Sequence, residues 1–485
     1  MSSDLEKFFQ KVEELKPTFK TRLGDAIKIQ SVSDVDLKRQ MATSLKSQIN
    51  DLGGDLDLHE FDNPPGLPPL VIGQYPKEWD KSKKTIVVYG HYDVQPADDG
   101  DKWKHPPPFE LTEGVREVDQ KKCYFGRGST DDKGPVVSWI NMLEAYQKAN
   151  IDLPVNLRFL FEGMEESGST GLPEFIKSDD GKKLFENADA GVISDNYWLG
   201  TTTPCLTYGL RGIVYFSITV SGPAWELHSG LFGGTVYEPM TDLIALLSTL
   251  VDSQGKILIP DLSHDVEPLT QEEIDSYKGI DYTMQDLYTA TGSKTAIYDD
   301  PTATLMARWR YPSLSIHGIE GAYSGPDTKT SIAPKVTGKF SIRTVPKMTV
   351  EDISTMVRDH LDREWKKLHS KNTYSFKVND AGETWRTKPD HPNFEAASRA
   401  TNTVWGKKPD LTREGGSIPV SLNIQEGLGT DSEGNPKSLV LLPVGTANDG
   451  AHGPDESIPI ENYVNGAKVL GAYLYEVANE KGVVE

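Results

Sequence analysis

The chain has 485 residues, of which 37% are hydrophobic and 25% charged, and its 72 acidic and 51 basic residues give a formal net charge of −21. A chain of this length exceeds the size at which one hydrophobic core keeps growing, so two domains are expected, and the surplus of negative charge disfavours a nucleic-acid or anionic-membrane surface. Cys123 and Cys205, the only cysteines, lie far apart and outside any Cys-x-x-Cys pattern, which indicates neither a disulfide framework nor a thiolate zinc site.

The amino-terminal segment predicts an amphipathic helix. Its apolar residues recur at helical spacing, at Leu5, Phe8, Phe9, Val12 and Leu15, and acidic residues stand early in it. This pattern differs from the basic start and continuous apolar stretch of a secretory signal peptide. No apolar stretch approaches the roughly 18 residues that a membrane span needs. We therefore expect a cytoplasmic protein without a membrane or nucleic-acid partner.

The next clear element is a buried strand that ends near His91 and Asp93. The run from Thr85 to Tyr89 is apolar and β-branched and is followed by Gly90 and Pro96, which favours a strand buried on both faces over a helix. Open α/β sheets place their sites at the carboxyl ends of such strands. His91 offers an imidazole nitrogen to a metal, and Asp93 could orient the ring. Taken alone, the pattern fits an ordinary core or surface histidine equally well.

Three more predicted strands end beside candidate metal ligands. The candidates follow apolar runs of strand length: Glu165 and Glu166 after 157–161, Asp195 after 190–193, and His452 after 439–444. Since the carboxyl ends of parallel strands meet at one edge of a sheet, we expect these side chains to lie together. Two imidazoles and several carboxylates form the mixed nitrogen and oxygen set that Zn²⁺ or Mn²⁺ accepts.

A fifth candidate, Asp131, lies in the string 126–134, whose glycines permit a tight turn before a helix predicted from Pro135. If one carboxylate bridges two ions, four other ligands complete a pair of ions about 3.5–4 Å apart with a water between them. One carboxylate then stays off the metals, and the adjacent Glu165 and Glu166 fit a division in which one ligates and the other transfers a proton. Separately, such acidic pairs are more often solvated loops or turns. Their shared location favours the metal site.

The order of predicted elements indicates one domain interrupted by another. Helices alternate with short apolar strands in the first part and again after Trp385, which predicts an α/β domain with a mixed, mostly parallel sheet. Between them, alternating strands and two helices predict a compact α+β block. We expect a discontinuous catalytic domain formed by residues 1–210 and 383–485, and an inserted α+β domain formed by residues 211–382.

The sequence resembles the cocatalytic di-metal metallopeptidases, a family that includes aminoacylase, carboxypeptidase G and succinyl-diaminopimelate desuccinylase. The resemblance covers nearly the whole chain and is strongest to dipeptidase members of the family. It is carried by long strings at 89–96, 126–135, 162–168, 194–200, 207–212, 227–230, 308–318 and 411–419.

The resemblance implies two divalent metal ions for each subunit. Asp131 would bridge the ions, His91 and Asp195 would bind one of them, and Glu166 and His452 would bind the other. The ligand set accommodates Zn²⁺ and Mn²⁺ alike, so the sequence does not identify the metal.

The resemblance also assigns the residues around the metals. Glu165 would be the general base, Asp93 would support His91 from behind, and Asp132 would orient the site without ligating.

For substrate binding, the resemblance implies that Arg343 holds the free carboxylate of the substrate, for which a guanidinium suits bidentate contact. Gly416 and Ser417 match a glycine-rich loop that contacts substrate in relatives. A nucleophilic Ser417 is disfavoured because the Gly-x-Ser-x-Gly elbow is missing.

His228 indicates a dimer. In relatives the corresponding histidine reaches the active site of the other subunit and stabilises the developing oxyanion, which implies a homodimer with shared sites. Thr330 is a weaker candidate for the same contact. The inserted domain would then act as a lid and a dimerisation domain.

These implications define a metal-dependent dipeptidase that hydrolyses unblocked dipeptides, cysteinylglycine from glutathione turnover among them, by a metal-bridged water with Glu165 as base. Two alternatives stay open. The chain could be an amidohydrolase of N-acyl or ureido amino acids, since the metal set does not select the amide. It could also be a catalytically idle subunit that keeps the fold for interaction.

Overall fold

The structure is a computed structural model that describes residues 3–97, 103–416, 418 and 420–480. Ser417, predicted to contact substrate, lies outside the described residues. Within the described ranges, no helix is both long and apolar enough to cross a membrane.

The elements alternate between helices and strands along most of the chain. The strands are β1 (Asp55–His59), β2 (Leu70–Tyr75), β3 (Thr85–His91), β4 (Thr112–Val115), β5 (Lys122–Phe125), β6 (Asn156–Glu162), β7 (Ala190–Ile193), β8 (Cys205–Leu210), β9 (Gly212–Ser221), β10 (Leu227–His228), β11 (Ser313–Glu320), β12 (Ser331–Ile332), β13 (Lys335–Thr344), β14 (Thr373–Gly382), β15 (Trp385–Arg386), β16 (Asp410–Glu414), β17 (Leu439–Leu441) and β18 (Ser457–Pro459). The helices are α1 (Ser3–Glu14), α2 (Lys16–Lys28), α3 (Val35–Asp51), α4 (Lys133–Lys148), α5 (Leu172–Lys177), α6 (Asp179–Phe185), α7 (Ser229–Phe232), α8 (Pro239–Leu247), α9 (Gln271–Lys278), α10 (Met284–Thr291), α11 (Pro301–Trp309), α12 (Val350–Leu368), α13 (Pro392–Trp405), α14 (Val420–Leu428) and α15 (Ile460–Asn479).

The largest sheet carries the candidate metal ligands. Its strand order is β1-β2-β6-β3-β7-β17-β8-β15, and β16 also pairs with β8. The central strands β6, β3, β7 and β17 run parallel, whereas β1, β2 and β15 pair antiparallel with their neighbours. The predicted α/β class, with a mixed sheet that is parallel at its centre, is confirmed.

Strand β3 is buried on both faces, as its composition predicts. Ile86 and Val88 pack into the core formed with α1, α2, α3, α4, α13 and α15. Val87 and Tyr89 point the other way, into the core formed with α5, α6 and α14. Each such aliphatic side chain contributes roughly 1.5–3 kcal/mol by leaving water. This burial fixes the position at which His91 leaves the sheet.

Two strand ends differ from the sequence-based expectation. His91 is the last residue of β3 rather than a residue beyond it. Strand β17 ends at Leu441 instead of Val444, because Pro443 has no N–H to continue the ladder. His452 therefore lies well along the loop after β17, and that loop brings it back to the sheet edge.

A second, four-stranded antiparallel sheet has the order β11-β13-β9-β14. Strand β9 buries every second residue, including Val214, Phe216 and Ile218, against α8 and α12. Its hydrophobic core is separate from the cores of the large sheet. The sheet runs from Gly212 to Gly382, which supports the proposed inserted domain 211–382, although that division stays a prediction.

Helices α9 and α11 lie within the predicted insertion but pack against residues from outside it. Tyr277, Leu305 and Trp309 form one cluster with Trp198 and Cys205. This segment therefore forms a wall next to the loop that follows β7.

Gly134, in the first turn of α4, permits the close approach of the preceding loop. A Cβ at this position would lie 2.0 Å from the carbonyl oxygen of Ser129. We expect Gly134→Ala to destabilise the metal-free protein by about 2–3 kcal/mol, because the main chain must shift to relieve the clash. Chemical denaturation measures the change. Gly200→Ala is the control, because a Cβ there meets no described atom within 4 Å. Equal stability of the two variants would contradict the prediction.

Candidate metal centre

Five of the sequence-predicted ligands come together at the carboxyl edge of the central strands. His91 ends β3, and Asp195 follows β7 by two residues. Glu166 lies in a short helical turn, Glu165–Ser167, directly after β6. Asp131 and His452 come from loops, the first before α4 and the second after β17. Parallel pairing of the strands is what brings residues so distant in sequence to one place.

The first group consists of His91, Asp131 and Asp195, all buried, with one ligand atom from each within 4.8 Å of the others. His91 Nε2 is 3.1 Å from Asp131 Oδ1 and 3.6 Å from Asp195 Oδ2. The group offers one imidazole nitrogen and two carboxylates.

The second group consists of Asp131, Glu166 and His452. His452 Nε2 is 3.0 Å from Asp131 Oδ2 and 3.1 Å from Glu166 Oε2. The two carboxylate oxygens of Asp131 therefore face different histidines, and Asp131 belongs to both groups.

The donors fit a divalent cation in each group. One imidazole with two carboxylates is a set that Zn²⁺ and Mn²⁺ accept. Glu166 Oε1 is buried and has no hydrogen-bond partner among the described residues, and a cation would satisfy it. The second oxygen, Oε2, accepts a hydrogen bond of 2.8 Å from the Gln95 side-chain amide, a contact that the sequence analysis missed.

The nearest partner of His91 Nδ1 is the main-chain carbonyl oxygen of Asp93, and not its side-chain carboxylate as the resemblance implies. His91 Nδ1 lies 3.1 Å from the main-chain carbonyl oxygen of Asp93 and 3.4 Å from its carboxylate. Donation to the carbonyl leaves Nε2 as the nitrogen that faces Asp131. The Asp93 carboxylate also lies 3.6 Å from Lys38 Nζ and accepts the main-chain N–H of Glu166 at 3.3 Å.

Asp132, for which the resemblance implies an orienting role, contacts the main chain of His91. Its Oδ2 accepts the main-chain N–H of His91 at 3.0 Å, and it belongs to neither ligand group. Burial, and then the nearby charge of Asp195, raise the pKa of the Asp132 carboxyl well above its usual range.

The histidines and carboxylates shift each other's proton affinities. Hydrogen bonds to Asp131 and Glu166 raise the pKa of His452 to about 10. Burial works to lower the pKa of His91, but Asp195 and Asp131 outweigh it and raise that pKa well above its usual value. Burial likewise works to raise the pKa of Asp131, but hydrogen bonds from the two histidines lower it overall.

Glu165 lies beside the ligands without joining either group. Its Oε2 is 3.9 Å from His91 Nε2. Burial is the largest influence on this carboxyl and raises its pKa well above the usual range; His91 works to lower it and Asp195 to raise it further.

A cavity of about 460 Å³ opens onto Asp131, Glu165, Asp195 and His452. Its remaining walls come from the loop after β7, the ends of β8 and β16, the segment around α10 and α11, and the loops after β16 and β17. They are Asn196, Tyr197, Trp198, Leu199, Leu210, Tyr282, Asp286, Leu287, Ala290, Arg308, Glu414, Gly416, Ile418, Thr446, Ala447, Gly450 and Ala451. Gly416, a predicted substrate contact, is thus placed in the cavity.

Arginines lie around the half-buried carboxylate of Glu414 at the β16 end of this cavity. Arg308 lies 3.1 Å from Glu414 Oε1. Burial, followed by repulsion from Arg343, lowers the pKa of Arg211 to about 10. The charge of Glu414 acts on the pKa of Arg343, working against the lowering caused by burial. Arg343 does not itself line the cavity.

His228 and Thr330 are neighbours, but the chain does not bring them to the metal ligands. Both are exposed. Strand β10 pairs His228 with Ser331 on β12, and the carbonyl oxygen of Thr330 accepts the main-chain N–H of Ser229 at 3.1 Å. His228 Nδ1 accepts the N–H of Gly230 at 2.9 Å. Neither residue lines the cavity within the described part of the chain.

Two buried residues behind the ligands, Arg127 and Glu456, were missed by the sequence analysis. They form an ion pair of 2.9 Å, and Glu456 also accepts main-chain N–H groups of the loop that holds Asp131. The position of Arg127 between Gly126 and Gly128 was the one sequence feature that could have indicated its role. Nothing in the sequence selects its partner among 72 acidic residues.

Comparisons with known proteins also indicate a metal-dependent peptidase. Residues 87–476 match the sequence model described as Peptidase family M20/M25/M40. The chain is 47% identical to a Cys-Gly metallodipeptidase of Schizosaccharomyces pombe, over 99% of each chain. It is 40% identical to the human Beta-Ala-His dipeptidase, over 98% of this chain and 93% of that protein. The solved structure of the di-peptidase Dug1p from Saccharomyces cerevisiae superimposes with a TM-score of 0.88 at 45% identity, covering 99% of each chain.

The raised pKa of His452 predicts proton release on metal binding. With a pKa of about 10 in the metal-free protein, His452 carries a proton near neutral pH, and a metal ion must displace it. Titration calorimetry with Mn²⁺ in buffers of different ionisation enthalpy should show that His452→Asn releases about one proton fewer than the unmodified protein. Equal release by the two proteins would contradict the prediction.

Proposed function

Because the chain belongs to Peptidase family M20/M25/M40 and is a metallopeptidase, we propose that its substrates are unblocked dipeptides. The resemblance drawn from the sequence strings is confirmed at the level of the family and of its dipeptidase members. Cysteinylglycine is the first substrate we propose, since relatives at 46–47% identity are named for it. The observation that carries the proposal is the sharing of Asp131 by two ligand groups beside Glu165, at the opening of one cavity.

The charges of the cavity favour a zwitterionic substrate. Beyond the proposed ligands and base, Asp286 and Glu414 place carboxylates in the lining, and these attract the free ammonium group of an unblocked dipeptide. Arg308 lies in the same lining, and Arg211 and Arg343 lie near it. We propose that Arg343 binds the substrate carboxylate after the inserted domain closes, with Arg308 adding to the positive potential. An N-acyl amino acid has no ammonium group that these carboxylates could attract.

We propose two divalent ions for each chain, Zn²⁺ or Mn²⁺. His91, Asp131 and Asp195 would hold one ion, and Asp131, Glu166 and His452 the other. When bound, such ions polarise the amide carbonyl and make water acidic enough to act as a nucleophile near neutral pH.

In this proposal Glu165 moves the proton. It lies in the cavity, outside both ligand groups, so its Oε2 is free to accept a proton from the attacking water. The same atom then delivers that proton to the leaving amine. Burial raises the pKa of this carboxyl in the metal-free protein, which is the direction that general acid–base catalysis by a glutamate near neutral pH requires.

The dimer is also part of the proposal. The segment around His228, which includes β10 and α7, exposes large apolar side chains: Trp225 is 71% exposed, Leu231 73% and Phe232 40%. Exposed apolar surface of this kind is typical of an interface. We propose that a second copy of the chain covers this surface, with His228 and Thr330 of one subunit completing the active site of the other. The cytoplasmic location stays a prediction.

Removal of the proposed base tests the mechanism. Glu165→Gln keeps the shape of the side chain but cannot accept a proton, and we expect kcat to fall by at least about 10²–10⁴-fold with metal content unchanged. The control is Glu174→Gln, an exposed residue of α5, which should keep full activity. Retained turnover in metal-replete Glu165→Gln would refute the assignment.

A substrate panel separates the dipeptidase from its alternatives. Metal-stripped protein is restored with Mn²⁺ or Zn²⁺ and assayed on cysteinylglycine, on β-alanylhistidine, and on N-acetyl and ureido amino acids. We expect hydrolysis of the free dipeptides only, because the acidic lining binds their ammonium group. Hydrolysis of the blocked compounds alone would establish the amidohydrolase alternative. Metal binding without any turnover would establish the idle subunit.

Mixing two inactive variants tests the shared site. His228→Ala and Glu165→Gln each disable a different contribution, so a mixed dimer contains one site with both residues intact. We expect activity to return on mixing, with light scattering confirming the dimer. No recovery despite demonstrated subunit exchange would exclude the role of His228 across the interface.

A further inference from the structure

We propose that Arg127 and Glu456 form a buried positioning pair that fixes Asp131 and His452 relative to each other, and thereby sets the affinity of the metal centre. The inference rests on the proposed function, since it takes Asp131 and His452 as metal ligands. Neither Arg127 nor Glu456 belongs to a ligand group, and neither lines the cavity.

Glu456 organises the loop that presents Asp131. Its carboxylate accepts the main-chain N–H groups of Gly128 at 3.0 Å, Thr130 at 3.1 Å and Asp131 at 3.1 Å. Its own carbonyl oxygen accepts the N–H of Gly126 at 2.9 Å. Hydrogen bonds to a charged acceptor are stronger than those between neutral groups. One fully buried carboxylate therefore holds the main chain on both sides of the turn, including the main chain of the shared ligand itself.

Arg127 connects Glu456 to two other segments of the chain by hydrogen bonds. Its guanidinium pairs with Glu456 at 2.9 Å and donates to the carbonyl oxygens of Pro96 at 3.0 Å and His452 at 3.4 Å. Pro96 continues the segment that begins with His91 and Asp93. The pair thus connects the strand end of one ligand, the loop of the shared ligand and the loop of a third.

The hydrogen bond from Arg127 to the carbonyl oxygen of His452 supports an unfavourable main-chain conformation. Its φ of 63° lies in the left-handed region, which costs a residue with a side chain about 1–2 kcal/mol unless its surroundings hold it there. The Arg127 donor holds the carbonyl of His452 itself.

A contribution to folding stability does not by itself explain why Arg127 and Glu456 form a buried ion pair. Arg127 is 1% exposed and Glu456 0%, and a buried ion pair often stabilises a protein no more than apolar residues of the same size. The charge of the carboxylate strengthens its contacts with three main-chain N–H groups and with the guanidinium, because hydrogen bonds to an ionised acceptor are stronger than neutral ones. The pair supplies fixed geometry to the ligands, as groups behind a metal site commonly do.

The chain offers a matched control in Arg116 and Asp449. Asp449 is also buried and pairs with Arg116 at 2.7 Å. It accepts hydrogen bonds from the hydroxyl of Thr130 and from Thr446. Asp449 therefore resembles Glu456 in burial and charge, but it contacts no main-chain group of a proposed metal ligand.

The experiment measures Mn²⁺ affinity of the metal-free protein by chelator competition, alongside its unfolding midpoint. Glu456→Gln places an amide N–H₂ where main-chain N–H groups need an acceptor, and we expect roughly 10–100-fold weaker Mn²⁺ binding. Asp449→Asn should lower the unfolding midpoint comparably but change Mn²⁺ affinity by less than about threefold. Arg127→Lys keeps the charge but not the forked contacts, and it should weaken Mn²⁺ binding by about tenfold.

The outcomes separate the two proposals. Unchanged Mn²⁺ affinity in Glu456→Gln, or an equal loss in Asp449→Asn, would overturn the positioning role. Should Glu456→Gln fail to fold, Arg127→Lys decides, and wild-type affinity in that variant would overturn the role. Failure of the unmodified protein to bind Mn²⁺ or to cleave any dipeptide would instead overturn the proposed function.

Discussion

The site depends on one carboxylate that faces two histidines. Asp131 Oδ1 lies near His91 and Oδ2 near His452, so both ligand groups form only if these three residues reach one point. They are separated by 40 and 321 positions along the chain, as their residue numbers show. The parallel core of the large sheet supplies the precision that this convergence requires, because it fixes His91 in a strand buried on both faces.

That convergence concentrates carboxylates in a place where water is scarce. Asp131, Asp132, Asp195 and Glu456 are all buried, and isolated charges in such surroundings are costly. The structure offsets the cost with paired charges and main-chain donors, as at Arg127 and Glu456, and the proposed cations would offset the remainder. Exclusion of water explains why burial is the largest influence on the pKa of His91, Asp131, Asp132, Glu165 and Asp195. The proposed active site is thus rich in acidic side chains, as is the chain as a whole with its net charge of −21.

The sequence was most informative where one residue determines both local structure and chemistry. Strand β3 followed from the apolar run before Gly90, although the strand extends one residue further, to His91, and the glycines around Asp131 indicated its turn. Contacts between distant segments could not be predicted. Glu456 is one of 72 acidic residues, and its partner Arg127 lies 329 positions away. The main-chain carbonyl of Asp93 as the partner of His91 was equally invisible, since any residue at that position offers the same atom. His228 and Thr330 depend on a second copy of the chain, and their roles stay predictions.

The central claim is that two metal ions share Asp131, and metal stoichiometry tests it most directly. Equilibrium dialysis with elemental analysis should find two Mn²⁺ or Zn²⁺ ions for each unmodified chain. His452→Asn should keep one tightly bound ion in the group with His91 and Asp195, whereas Asp131→Asn should lose tight binding of both, because each group then lacks a carboxylate. Two ions retained by Asp131→Asn, or a single ion in the unmodified protein, would contradict the claim.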